Sequence, residues 1–440
     1  MYAKKFSRLN LPISVILLFW SSFVSALEID PGVGAGLRYT DNAALTPDNE
    51  DDDWIVGGYL GAQIKQNTGP VTANATASLN YEKYTDDTFG DQYYFNLNAG
   101  AGWDIIKDRF DWQVVDYFTT IRRNSLDSNT PDNQQNANAF STGPNIRFPV
   151  SPRNSAVVSP VFRDFYYENS DADNQQYELG ALWSYRLNRT MDLGPNVRVT
   201  KIDYENDDRN PDVTIGYLGI AANGTRPRSV YTINLGGNYV RRDDFDNVDG
   251  FAGDVDWRYN LTGRSSLRAY ALTSLTDASA DFLRSENDPD TGDFMNEQIS
   301  SDVLRNSTAR LTYQRGGTTL DSTVWLEYRD LDYKEAPNDR EVKVIGGTLG
   351  YSVTPLMRTG ITGRYNNTKE TDTNRTDKEY IVGGNVSYSL SRKLRTSFRI
   401  GYHKKDSTSA NNEFNEFSAS INLVYGFQAA AALPGGDGRH

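Results

Sequence analysis

Near its C-terminus the chain alternates with a period of two. Phe417, Ala419, Ile421, Leu423, Tyr425 and Phe427 share one face, and Ser418, Ser420, Asn422, Val424 and Gly426 share the other. Successive side chains of a strand point to opposite faces, so 413–427 predicts a strand whose apolar face starts and ends in aromatic rings. A lipid-facing strand of a transmembrane barrel has this form, with rings at both interfaces. A half-buried strand of a soluble sandwich alternates too, so the rest of the chain must decide.

The same pattern recurs throughout. The first strand is expected at 33–39. Trp54, Val56, Gly58, Leu60, Ala62 and Ile64 form the apolar face of the second, and Asn67-Thr68-Gly69-Pro70 turns the chain into Ala73, Ala75, Ala77, Leu79 and Tyr81. Tyr93, Phe95, Leu97, Ala99, Ala101, Trp103 and Ile105 follow, then Tyr177 to Leu187, Tyr231 to Tyr239 and Phe251 to Leu261 in the same manner. Register is ambiguous around Phe162 and Leu267. Pro144 and Pro160 fall inside predicted strands, where a lost ladder donor points to a bulge or a shifted boundary.

The connections carry more information than any one strand. Short ones near Gly69, Asp108, Pro152, Arg189, Pro227, Gly263, Gly316, Pro355 and Arg392 alternate strictly with longer polar ones around Glu50, Asp87, Thr130, Asp171, Asp207, Asp246, Asp288, Asn338, Asn374 and Ala410. That rhythm predicts an all-β fold: one antiparallel transmembrane barrel of about 20 strands (18–22), with short periplasmic turns and long outer loops. An even strand number returns both termini to the same side.

The N-terminus agrees. Lys4, Lys5 and Arg8 precede an apolar run over 11–20, and Val24-Ser25-Ala26 supplies the small residues of a cleavage site. The run is too short to span a bilayer, so 1–26 reads as a secretory signal peptide. The barrel is expected over 27–427 and a flexible tail over 428–440. A mean hydropathy of -0.62 looks soluble, yet only alternate barrel residues face lipid. The 27 Tyr, 19 Phe and 36 Gly suit strands and their turns. The formal charge of -13 argues against nucleic-acid binding, and the absence of cysteine removes disulfides and thiolate metal sites.

Candidate chemistry is sparse. The two histidines, His403 and His440, give no triad and no metal spacing, so neither an enzyme nor a cofactor is expected. The run Asp48 to Asp53 either holds a hard divalent cation or is a solvated loop, and it lacks the glycine and glutamate of an EF-hand. The segment 278–302 contains Phe282, Leu283, Phe294, Met295 and Ile299. That apolar content suits a piece of chain folded back over the barrel mouth. On the polar faces, Arg310, Glu327, Arg329, Arg358, Arg364, Arg395 and Arg399 are candidate lumen residues of the C-terminal half. Glu178, Asp254, Asp256 and Arg258 are those of the middle. They either set up a transverse field that guides an anionic solute or polymer, or pair with one another across strands. Tyr59 and Trp325 are candidate sugar-stacking aromatics.

Two stretches carry resemblances. Tyr425 and Phe427 resemble the C-terminal assembly signal of bacterial outer-membrane proteins, which implies the outer membrane, its lipid and lipopolysaccharide, and the barrel-assembly machinery as partners. The opening Gly34-Ala35-Gly36-Leu37-Arg38-Tyr39-Thr40-Asp41-Asn42 resembles the first strand and loop of porins encoded with exopolysaccharide secretion systems. That second resemblance implies a channel assisting polysaccharide export, with polysaccharide and other export components as partners. The residues themselves leave two alternatives open: a passive porin for small hydrophilic or anionic solutes, and a plugged structural or adhesive surface barrel.

Overall fold

The computed structural model describes residues 27–48, 50–205, 210–243, 245–277, 279 and 299–427. The expected signal peptide at 1–26, the tail at 428–440 and most of 278–302 lie outside the described residues. Twenty strands follow one another. The first five are β1 (Glu28–Thr40), β2 (Asp53–Gln66), β3 (Val71–Tyr84), β4 (Gln92–Ile106) and β5 (Phe110–Arg122). Next come β6 (Gln134–Ser151), β7 (Asn154–Tyr167), β8 (Asn174–Asn188), β9 (Met191–Tyr204) and β10 (Val213–Arg226). The third group is β11 (Ser229–Arg242), β12 (Val248–Thr262), β13 (Ser265–Asp277), β14 (Val303–Arg315) and β15 (Leu320–Tyr333). The last is β16 (Arg340–Thr354), β17 (Met357–Glu370), β18 (Thr376–Ser389), β19 (Leu394–Ser407) and β20 (Phe414–Gly426).

Each strand pairs antiparallel with its neighbours in sequence, and β1 pairs with β20. The seam runs from Gly32↔Gly426 to Thr40↔Ser418 and closes the sheet. Closure is what a bilayer demands, because each unpaired backbone group in hydrocarbon costs several kcal/mol. The short and long connections alternate as the sequence pattern predicts.

Exposure follows the two-residue period. Leu218, Ile220, Leu235, Ile361, Val382 and Ile421 point outward with about half or more of their surface open. Aromatic rings bound this band: Trp54, Tyr93, Tyr177, Tyr239 and Tyr402 toward the long connections, and Trp103, Trp183, Tyr351, Tyr388 and Tyr425 toward the short ones. From Tyr93 to Trp103 on β4 is ten residues, about 33 Å along the strand, or about 25 Å once tilted by roughly 40°. That matches the apolar height of an outer-membrane barrel. The molecule is a bacterial outer-membrane β-barrel, with its apolar surface turned outward to lipid and its polar surface inward.

Two local departures have clear causes. Gly426 has φ +81°, a left-handed conformation that takes the chain off the strand. The expected strand 413–427 is therefore trimmed to β20, and Phe427 stands past its end, bonded through its N–H to the Pro31 carbonyl at 3.0 Å. Only Tyr425 of the expected aromatic pair lies on the lipid face of the strand. Pro144 and Pro160 sit opposite each other on β6 and β7, and the ladder lapses between Thr142↔Phe162 and Ile146↔Val158. Neither proline has an N–H to give. No residue is inserted, so register is kept, and Ser159 Oγ donates to Asn145 Oδ1 at 2.7 Å on the inner face.

Candidate functional site

The candidate site is the interior of the barrel. All eleven charged residues singled out from sequence fall at inward-facing positions, alternating with exposed apolar neighbours. The structure brings them together differently from two opposed strips. Glu178 lies 3.0 Å from Arg163 and 3.8 Å from Arg198. Asp256 takes two bonds from Arg268, at 3.0 and 2.9 Å, and Asp254 accepts from Asn234 at 3.0 Å. Glu327 sits between Arg310 at 3.4 Å and Arg329 at 3.1 Å, all three buried. Arg358 pairs with Asp321. Glu178 and Asp256 thus meet arginines on adjacent strands; Arg163 and Arg268 were missed because the registers of β7 and β13 were ambiguous, and Arg198 because it lies on β9, for which no alternating face was read. Arg364 lies near Glu379, whose Oε1 meets His403 Nε2 at 2.8 Å. Arg395 and Arg399 continue the inner face of β19 toward the short turns. Of the two candidate stacking rings, Tyr59 is buried against Gly61, and Trp325 lies under the Arg310 guanidinium.

The outer mouth is crossed by the β5–β6 connection, 123–133. Asparagines shape it: Asn124 N–H donates to Asn133 Oδ1 at 2.9 Å, and Asn133 Nδ2 to the Asn124 carbonyl at 2.8 Å. Its apex reaches the opposite wall. Arg340 on β16 donates to Ser125 Oγ. The Leu126 carbonyl accepts from Lys405 Nζ on β19 at 2.6 Å and from Arg375 Nη2 at 2.7 Å. Arg375 also faces Asp127 at 3.7 Å. Asp377 holds the two cations in place, at 2.9 Å from Arg375 and 3.2 Å from Lys405. A loop apex that supplies a bare carbonyl to two cations is a strong tether, because hydrogen bonds to charged groups are the stronger kind. Sequence reasoning missed Arg340, Arg375 and Lys405, since local alternation says nothing about contacts between distant loops.

A second element turns inward beside it. Pairing of β13 with β12 stops at Gly253↔Thr273, while β13 and β14 stay paired to Asp277↔Val303. Beyond that point Leu275 and Val303 pack on Ile202, Tyr204, Val213 and Val240, the inner faces of β9 to β11. Gln176 on β8 donates to Asp277 Oδ2 at 3.1 Å, and Asn174 to Ser279 Oγ at 2.9 Å. Ile299 packs with Ile121, Ala137, Phe165 and Tyr167 on β5 to β7. The described ends of the 278–302 connection therefore sit inside the mouth; the rest of that expectation lies outside the described residues. Ile299 also lines a cavity of about 300 Å³ with Arg123, Asn124 and Gln135.

The inner mouth is different. The short connections carry Lys107, Arg109, Arg153, Arg189, Arg228, Arg264, Arg392 and Lys393, with Asp108 as their one acidic residue. By sequence the long connections are rich in Asp and Glu, with Arg123, Arg209, Arg284, Lys334 and Arg375 as their basic residues. A cavity of about 620 Å³ opens among the β10–β11, β12–β13 and β14–β15 turns. The acidic loop 48–53 shows no group of metal-binding side chains among the described residues.

No family model matches the chain, and no curated protein does. Among solved structures it is similar to the FrpB iron transporter of Neisseria meningitidis (F5-1 variant), at 10% identity over 91% of this chain and 83% of that one, TM-score 0.48. It is also similar to OccK2 of Pseudomonas aeruginosa, solved in complex with glucuronate, at 9% identity over 91% and 99%, TM-score 0.40. A third is a BenF-like porin of Pseudomonas fluorescens, at 10% identity over 91% and 99%, TM-score 0.39.

Proposed function

We propose that this barrel is an outer-membrane channel, closed at its outer mouth at rest, that assists export of an exopolysaccharide. The observation that carries the reading is the tether of the β5–β6 apex by Arg340, Arg375 and Lys405. In a diffusion pore a loop fixed across the mouth by three cations narrows the passage for every solute, whereas in an export channel it serves as a barrier that yields to cargo. The opening motif at 34–42 supports the same reading by resemblance, and a polar, charge-lined interior suits a hydrated chain. Polysaccharide and other export components are then the partners at the inner face, with lipopolysaccharide around the barrel and the barrel-assembly machinery acting during insertion.

The passive porin remains a second reading, favoured by the local pairing of the inward charges, which leaves a wet wall without an evident cargo track. Planar-bilayer recording separates them. The export reading expects low conductance from the intact barrel and severalfold higher conductance once 124–132 is replaced by a short glycine linker. A large steady conductance in the intact protein would establish the porin. No conductance in either protein would establish a plugged barrel. Polymer secretion should also fail in a strain lacking the gene.

A further inference from the structure

We infer that the inner mouth carries a receptor site for an anionic glycan segment, in the cavity among the β10–β11, β12–β13 and β14–β15 turns. The inference takes its direction of traffic from the channel reading, but its chemistry stands on the cavity. Asn260, Ser266 and Gln314 line the space at inward positions of β12, β13 and β14, so it opens on the lumen rather than on lipid. Arg228 and Arg264 line it from the turns. Neither guanidinium has an ion pair or hydrogen bond among the described residues, and no carboxylate is in the lining. The volume, about 620 Å³, is that of a small-molecule pocket.

A second observation points the same way. One inward step above Asn260 stands Arg258, exposed and without a partner among the described residues, directly opposite Arg268 on β13. Like charges facing each other across a strand pair are unfavourable. Arg268 is answered by Asp256, Arg258 by nothing. Two guanidiniums without partners among the described residues therefore line one concave, hydroxyl- and amide-lined space, and a third stands one inward step from its edge. Forked donors suit carboxylates, and amides and hydroxyls suit sugar hydroxyls. An acidic protein partner would want aromatic or aliphatic anchors, and Pro227 is the only apolar side chain in the lining.

The test uses the full-length barrel in detergent and calorimetric titration with a short oligogalacturonate. Wild type should bind it, a neutral oligosaccharide of the same length should bind far less, and added salt should weaken the interaction. The R228Q/R258Q/R264Q variant, checked for folding by its heat-dependent electrophoretic mobility, should bind at least about tenfold more weakly. Equal binding by wild type and variant, or none by wild type, overturns the site. Displacement by an equal concentration of inorganic phosphate overturns the glycan assignment. Conductance is read separately: a barrel that binds through these arginines but stays silent even with 124–132 replaced retires the channel and keeps the site, while a barrel that conducts after the replacement and is indifferent to their loss in the titration does the reverse.

Discussion

The two ends of the lumen are built from the same alternating strands, yet they solve opposite problems. At the outer end the inward side chains are buried, cations of the wall hold the apex of a loop that crosses the mouth, and a second element folds in beside it. At the inner end the turns are tight, the guanidiniums are exposed, and several have no partner among the described residues. The difference teaches where the barrel spends its ordering. Long connections have the reach to cross a lumen, whereas two-residue turns cannot leave the rim. Charge follows the same division, with carboxylates crowding the outer loops and cations crowning the inner turns.

The comparison is broken most sharply by removing charge from each environment. Glu327 is mid-lumen and buried between Arg310 and Arg329. Replacing it with Gln takes a carboxylate away from two buried guanidiniums and should cost about 3 kcal/mol, seen as a lower unfolding temperature in detergent. Asp321 pairs with Arg358 near the short turns, where both are exposed by more than a third. There Asp321→Asn should cost less than about 1 kcal/mol. Equal losses at the two positions would mean that the interior is uniformly wet and that the contrast between the ends is one of shape alone.

That contrast was only half legible in the sequence. Alternation and the rhythm of connections were enough for the barrel, its strand number and the inward register of residues such as Arg310 and Arg399, because those depend on neighbours two residues apart. The seam was legible for the same reason, as the first strand must meet the last. What was not legible depends on chain geometry at long range. Nothing in Asn124-Ser125-Leu126-Asp127 announces that Arg340 and Lys405 lie within reach. The bending of the β13–β14 hairpin likewise needs the inner faces of β9 to β11 as a landing surface. Phe427 shows a smaller failure: alternation extends through it, but the positive φ of Gly426 ends the strand one residue sooner.

A smaller effect sharpens the outer end. Arg340 donates to the Ser125 hydroxyl at the loop apex, and a hydrogen bond to a charged group is worth about 1.5–3 kcal/mol. Arg340→Ala should therefore raise the population of released loop by at least about tenfold, read as more frequent openings in single-channel recordings. The rise should fall short of the loop replacement, since Arg375 and Lys405 still hold the Leu126 carbonyl. Silent recordings indistinguishable from wild type would assign the tether to those two alone.

The smallest effect concerns acidity at the outer rim. Asp339, in the connection between β15 and β16, accepts from the Tyr333 N–H at 2.7 Å and lies close to Asp332 and Asp372. Burial, with the repulsion of those two carboxylates, pushes its pKa above the usual carboxylate range, against the opposing pull of the Tyr333 bond. A carboxyl raised in this way keeps its proton in the folded state over a window in which the unfolded chain has lost it. Folding is then favoured as pH falls through that window, and the gain disappears as pH rises above the folded-state value. Much of the group is open to solvent, so the gain is modest. Going from about pH 7 to about pH 5, the unfolding temperature of wild type should rise slightly relative to that of Asp339→Asn, which keeps an acceptor for Tyr333 but has no proton to gain. Parallel curves for the two proteins would show that the carboxylates crowded around Asp339 are relaxed by solvent, so that at this part of the outer rim repulsion adds nothing to set against the uncompensated arginines of the inner turns.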